Sequence, residues 1–158
     1  MMGPQGGMQM KIRIAVSAER EQAVTEALLR AGFELDDEAE LVVLENDRFA
    51  SHLPVRDEAG NRLHLAVEDI VSIESFGHSV VVHGVDGSYQ TADRLYQLCL
   101  LLDPKQFLRI SNSVIIQRRH VKKILPTMSM KFVLVLADGS KVDVTRSYYN
   151  SFKSFFGI

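Results

Sequence analysis

Two Asp-Gly pairs punctuate the second half of this chain, Asp86-Gly87 and Asp138-Gly139, and each stands between runs rich in β-branched residues. Asp-Gly supplies the positive φ angles of a tight hairpin at little steric cost, so such pairs between apolar segments commit a chain to antiparallel sheet. Residues 80–85 lead into the first pair, with Gln90 on the returning strand. Around the second, residues 132–136 and 141–145 pair, and Val142 and Val144 alternate with Lys141, Asp143 and Thr145 to give one buried and one polar face. Residues 67–75, 110–116 and 121–125 are further expected strands. Helices are few: one capped by Thr91 with Leu95, Leu98, Cys99 and Leu102 as its core stripe, and a closing helix that sets Tyr148, Phe152 and Phe155 against the sheet.

The front of the chain has a different period. Ile12, Ile14 and Val16 alternate as on a half-buried strand, and a helix follows. Ser17 is its expected cap, Glu19 and Glu21 suit the positive end of the helix dipole, and Gly32 ends it. After the acidic stretch 34–40, Leu41-Val42-Val43-Leu44 reads as a second strand. The expected organisation is therefore a disordered tail over 1–9, a small β-α-β unit and linker over 10–61 (the linker being 46–61, with Pro54 and Gly60), and a mainly β domain over 62–158. The fold class is mainly β with few short helices, an antiparallel multi-sheet domain preceded by the β-α-β unit.

Charge divides along the same line. Residues 1–61 carry 6 Lys+Arg against 12 Asp+Glu, whereas residues 104–158 carry ten basic residues against only Asp138 and Asp143. That local excess suits a polyanionic partner. A single cysteine, Cys99, excludes a disulfide framework and any cysteine-only zinc site, and fits a reducing cytoplasm. No apolar run approaches the roughly 20 residues needed to span a bilayer, and the opening MMGPQGGMQM is not a secretory signal. Nucleotide-binding glycine loops and the G-x-S-x-G elbow are absent. Asp36, Asp37 and Glu38 precede rather than follow an apolar strand, which makes them a solvated acidic loop and not a phosphoacceptor pocket. The five histidines are too scattered for a helical metal pair, so neither a metal nor another cofactor is expected, and no small-molecule substrate is evident.

The segment Phe107-Leu108-Arg109-Ile110-Ser111-Asn112-Ser113-Val114-Ile115-Ile116-Gln117 is followed by Val121 and Ile124, then by Leu136-Ala137-Asp138-Gly139-Ser140-Lys141-Val142-Asp143-Val144-Thr145-Arg146-Ser147-Tyr148. With Val67-Glu68-Asp69-Ile70 and Ile73-Glu74 upstream, these spaced elements resemble the LytTR family of bacterial DNA-binding domains over some 95 residues from about Leu63. Gln117 stands where that family usually has Asn, Asn112 where many members have Arg or Lys, and Thr145-Arg146-Ser147 replaces the commoner Ser-Arg-Arg. The resemblance implies a compact array of antiparallel sheets. It also implies a mode of binding in which loops and strand ends enter two successive major grooves of promoter DNA.

Carried over residue by residue, the resemblance implies base contacts from His78, Asn112 and Arg146. Their chemistry suits the role: an arginine forks onto guanine O6 and N7, an asparagine pairs with adenine, and a histidine donates to a base acceptor or a phosphate. Lys105, Arg118, Arg119, Lys122 and Lys123 are the expected phosphate contacts, with Ser111 and Ser113 adding hydroxyl donors. Arg109, ringed by apolar residues, is expected to be structural. The resemblance further implies a homodimer on repeated half-sites and, for short members, a restraining membrane-protein partner. The chain leaves no room for the receiver domain many relatives carry, so phosphorylation of a receiver is not the expected control. Two rivals stand beside a transcription regulator. One is a ligand- or protein-binding module with a basic interaction surface, and the other is a small enzyme using His78, His83 and Asp86, for which no nucleophile–base arrangement is present.

Overall fold

Alternating Ile12 and Ile14 make β1 (Lys11–Ala15), and the amphipathic α1 (Ala18–Arg30) returns the chain so that β2 (Glu34–Leu35) and β3 (Leu41–Leu44) flank β1 in a parallel sheet of order β2-β1-β3. The computed structural model describes residues 9–45 and 49–158, so the expected tail lies, but for Gln9, outside the described residues. This first unit spans Met1–Ala50 and a second spans Ser51–Ile158. Ser17 does sit at the start of α1, but its hydroxyl caps nothing; its backbone N–H donates to Glu45 Oε1 at 2.5 Å. The start of the acidic stretch supplies β2, whose Glu34 pairs with Lys11 across 3.8 Å, while Asp36, Asp37 and Glu38 lie in the turn that follows, as expected.

In the second unit, β4 (His52–Arg56), β5 (Arg62–Ala66), β6 (Ile70–Phe76), β7 (Ser79–Gly84), β8 (Ser88–Thr91), β9 (Phe107–Arg109) and β10 (Val114–Gln117) form one antiparallel sheet of order β5-β4-β8-β7-β6-β10-β9. A second sheet has the order β11 (Val121–Pro126), β12 (Phe132–Leu136) and β13 (Lys141–Val144). Two helices complete the unit, α2 (Leu95–Leu101) and α3 (Tyr149–Phe156). The core lies where the two sheets meet. Val71, Ile110, Val114 and Ile116 from the larger sheet pack with Phe132, Leu134, Leu136 and Val144 from the smaller one, closed by Phe152 of α3. The expected class, mainly β with few short helices, is what the chain adopts.

Several local expectations are corrected. Strand β4 falls inside the stretch read as a linker. Its odd residues bond to β5 (Val67 N–H to Ser51 O, Asp57 N–H to Asn61 O), so Pro54, an even position, withholds no N–H from that ladder, and β8 reaches β4 only at Arg56. The turn after β7 has three residues, 85–87, and closes with Gly84 N–H on Gly87 O at 2.7 Å; neither Asp86 nor Gly87 takes a positive φ. Thr91 is not the cap of α2; Arg94 precedes that helix, its N–H bound by Gln97 Oε1 at 2.8 Å, while Thr91 Oγ1 accepts from Asp93 N–H. Helix α2 buries Leu95, Leu98 and Leu101, with Leu102 just beyond it, a stripe that leaves Cys99 exposed rather than in the core. The expected strand 110–116 is interrupted at Ser111–Ser113 by a hairpin turn.

Candidate nucleic-acid interface

Three turns bring the candidate base contacts to one end of the second unit. The first joins β6 to β7, with Phe76 opposite Ser79 and Gly77-His78 between them. Gly77 takes φ 59° and His78 does not take a positive φ, the two-residue arrangement that calls for glycine at its first central position. His78 is exposed at the tip. The second turn joins β9 to β10 through Ser111, Asn112 and Ser113. Because β10 runs antiparallel to β6 with Val114 opposite Glu74, this tip lies at the same end of the sheet as His78, and Ser75 N–H donates to Ser113 O at 2.8 Å. The third segment follows β13: Thr145 N–H donates to Ile110 O at 3.0 Å, which fixes Arg146, in the 3-10 turn Arg146–Tyr148, beside the Asn112 tip.

The Asn112 turn carries no glycine, and side chains hold it instead. Arg109 donates from Nε to Ser111 O at 3.2 Å and from Nη2 to Asn112 O at 2.5 Å, a fork closing on two successive carbonyls. Ser113 N–H donates to Ser111 Oγ at 3.2 Å, and the two hydroxyls lie 3.4 Å apart. Arg109 is thus structural, as expected. Ser111 is buried and Ser113 half-buried, whereas Asn112 and Arg146 are exposed.

Of the candidate phosphate contacts, Ser111 and Ser113 lie in that turn, but the basic ones are not gathered there. Lys105 and Arg118 lie at the opposite end of the β9–β10 hairpin, where Phe107 pairs with Gln117, a strand length of roughly 13 Å away. Arg118 is committed internally: its Nε donates to Lys105 O, its Nη2 to Phe155 O, and its guanidinium stacks 4.3 Å from the Phe155 ring. Phe155, expected against the sheet, is the platform for that cation, an arrangement that favours a weakly hydrated guanidinium. Lys122 and Lys123 are exposed near the start of β11, with Lys123 opposite Val135, and Arg119 is exposed in the 3-10 turn before it. Lys131, by contrast, directly precedes Phe132, which pairs with Val144, so it shares the Arg146 end and is exposed.

Tyr148 escaped the sequence reading as a site residue. Its hydroxyl donates to Asn112 Oδ1 at 3.3 Å across a separation of 36 residues. Only its place in the Arg-x-Tyr end of the motif hinted at a role, and that signal said nothing of its partner.

Comparison with known proteins gives a consistent set of likenesses. A family model for the LytTr DNA-binding domain matches residues 60–157. A transcriptional regulatory protein LytR of Staphylococcus aureus is 30% identical over 142 residues, 87% of this chain and 56% of that protein. A sensory transduction protein LytT of Bacillus anthracis is 33% identical over 92 residues, covering 58% of this chain and 37% of that protein. The chain thus spans about half the length, or less, of the curated relatives it matches. Among solved structures, a LytTr DNA-binding domain from Bacillus cereus superposes with a TM-score of 0.65 at 22% identity, covering 68% of this chain and 98% of that one.

Proposed function

This chain belongs to the LytTr DNA-binding domain family, and from that premise we propose that it is a cytoplasmic regulator of transcription that reads promoter DNA with the three turns gathered at one end of its second unit. The observation that carries the reading is the convergence of His78, Asn112 and the Arg146 segment, tied by the bonds from Ser75 to Ser113 and from Thr145 to Ile110. Three exposed side chains of complementary hydrogen-bonding character, held on short turns, suit base edges in a major groove. Arg146 takes guanine, Asn112 a purine edge, and His78 a base acceptor or a phosphate.

Phosphate contacts in this reading come from exposed cations on both sides of that end. Lys131 shares the Arg146 end, while Lys105, Arg119, Lys122 and Lys123 sit a strand length away and follow the backbone beyond the groove that is read. Ser113 adds a hydroxyl. Ser111 and Arg118 serve the scaffold, since their polar atoms are taken by internal bonds. The family resemblance also supports a homodimer on repeated half-sites and control by a membrane-protein partner. Among the described residues no helix is long and apolar enough to cross a membrane.

The test is a binding titration of the whole chain against a labelled duplex from the region upstream of its own gene and a shuffled duplex, each at several salt concentrations. Specific retention with a steep salt dependence is expected. Equal affinity for both duplexes would sink the reading and favour a basic protein-interaction surface. Arg146→Ala should cost about 1–3 kcal/mol of discrimination at one base pair, and Lys122→Ala should weaken both duplexes alike and reduce the salt slope by about 1.

A further inference from the structure

The hydroxyl of Tyr148 donates to Oδ1 of the exposed Asn112, and we propose that Tyr148 is the positioning residue that sets which base Asn112 reads. The inference rests on the assignment of Asn112 as a base contact and adds to it a second residue that decides the outcome. An asparagine at a hairpin tip has two sources of freedom, its backbone and its two side-chain torsions. The backbone is already fixed by the Arg109 fork on Ser111 O and Asn112 O, and by Ser113 N–H on Ser111 Oγ. What remains is the orientation of the amide. A swinging amide presents donor and acceptor alternately to a base edge and discriminates poorly, because either face of the code can be satisfied.

Tyr148 removes that freedom. Its own N–H donates to Thr145 O at 2.9 Å, and its ring packs on the core that Phe152 closes, so the hydroxyl is delivered from a rigid support. With Oδ1 engaged at 3.3 Å by this donor, Asn112 keeps Nδ2 free with its two N–H donors in a set direction. The same support carries Arg146 two residues earlier. The Asn112 amide and the backbone that carries Arg146 are therefore anchored to one support.

The experiment is selection of bound duplexes from a random-sequence pool by the full chain, by Asn112→Ala, by Tyr148→Phe and by the double variant. Tyr148→Phe should relax base preference about two- to tenfold, the worth of one hydrogen bond, at the same position that Asn112→Ala relaxes. The double variant should lose no more than Asn112→Ala alone, and the salt slope of random-duplex binding should be unchanged. In the free protein, the side-chain amide proton pair of Asn112 should shift toward its unstructured position in Tyr148→Phe, a readout independent of DNA. Full additivity in the double variant, relaxation at a different position, or an unmoved Asn112 amide would each overturn the proposal while leaving the base contact standing. If Asn112→Ala keeps every base preference of the parent, the base contact itself is wrong and the positioning role goes with it.

Discussion

Gln117 is 2% exposed, and its amide nitrogen donates to Val67 O at 3.0 Å and to Ile70 O at 2.6 Å, the two carbonyls that bracket the 3-10 turn entering β6. Replacing it by leucine removes the buried donor to Ile70 O, while Val67 O keeps the Ile70 N–H, and Gln117→Leu should lower stability by about 1–3 kcal/mol in urea unfolding while sparing the base preference of whatever protein remains folded. Phe152 has no exposure at all and packs with its ring tilted 39° to that of Phe132 at 4.9 Å between centroids, so Phe152→Ala should cost about 3–5 kcal/mol. Cys99 is exposed as a residue, yet burial around its thiol pushes the pKa up against the opposing pull of Arg109, and alkylation at about pH 8 should run slower than for a free cysteine. What was legible at this scale were side chains whose type announces their chemistry, such as Arg109 among apolar neighbours. Tyr148 was not legible, because a tyrosine 36 residues from its partner shows no pattern in one dimension.

At the scale of elements, two acidic turns behave alike. Asp57 accepts from Ala59 N–H, Asn61 N–H and Asn61 Nδ2, and the bond from the Asn61 backbone leads the causes that hold its carboxyl below 3.8. At Asp138 partial burial is the largest influence and pushes upward, but bonds from the Ser140 hydroxyl and N–H, with His83 nearby, bring the carboxyl below the same value. A carboxylate depressed in the folded state adds stability above its unfolded pKa and loses it as pH falls through the folded value. Both turns should therefore hold from neutral pH down to about 4 and loosen below that, seen as faster amide exchange at Asn61 and Ser140, and Asp138→Asn should abolish the dependence at Ser140 alone. The Asp138 hairpin was readable because its signal is local: Gly139 takes φ 85° and the carboxylate closes its own turn. The Ser111–Ser113 turn was not, since Val114, Ile115 and Ile116 continue the apolar run and the turn is held by Arg109 from outside its own residues. Strand β4 was hidden in the same way, by a proline whose missing N–H happens to face away from β5.

For the whole molecule, the unit that begins at Ser51 includes β4, with Leu53 and Val55 almost wholly buried. A fragment of residues 51–158 should fold and retain base discrimination. One beginning at residue 62 forfeits two buried side chains, each worth about 1.5–3 kcal/mol, and should melt well below it by circular dichroism. The architecture as a class could be read from strand patterning and hairpin chemistry, whereas the place where the unit starts depended on pairing between β4 and β5 that no local signal announces. Phe152 carries a consequence for synthesis. It closes the core between the two sheets and follows Arg146 in the chain, so the turns that bear His78 and Asn112 leave the ribosome long before the residue that closes that core. At roughly 5–20 residues per second, the stretch from His78 to Phe152 takes several seconds to emerge. During that interval the turns are present without the side chain that closes the core, and the proposed reading of bases waits on Phe152.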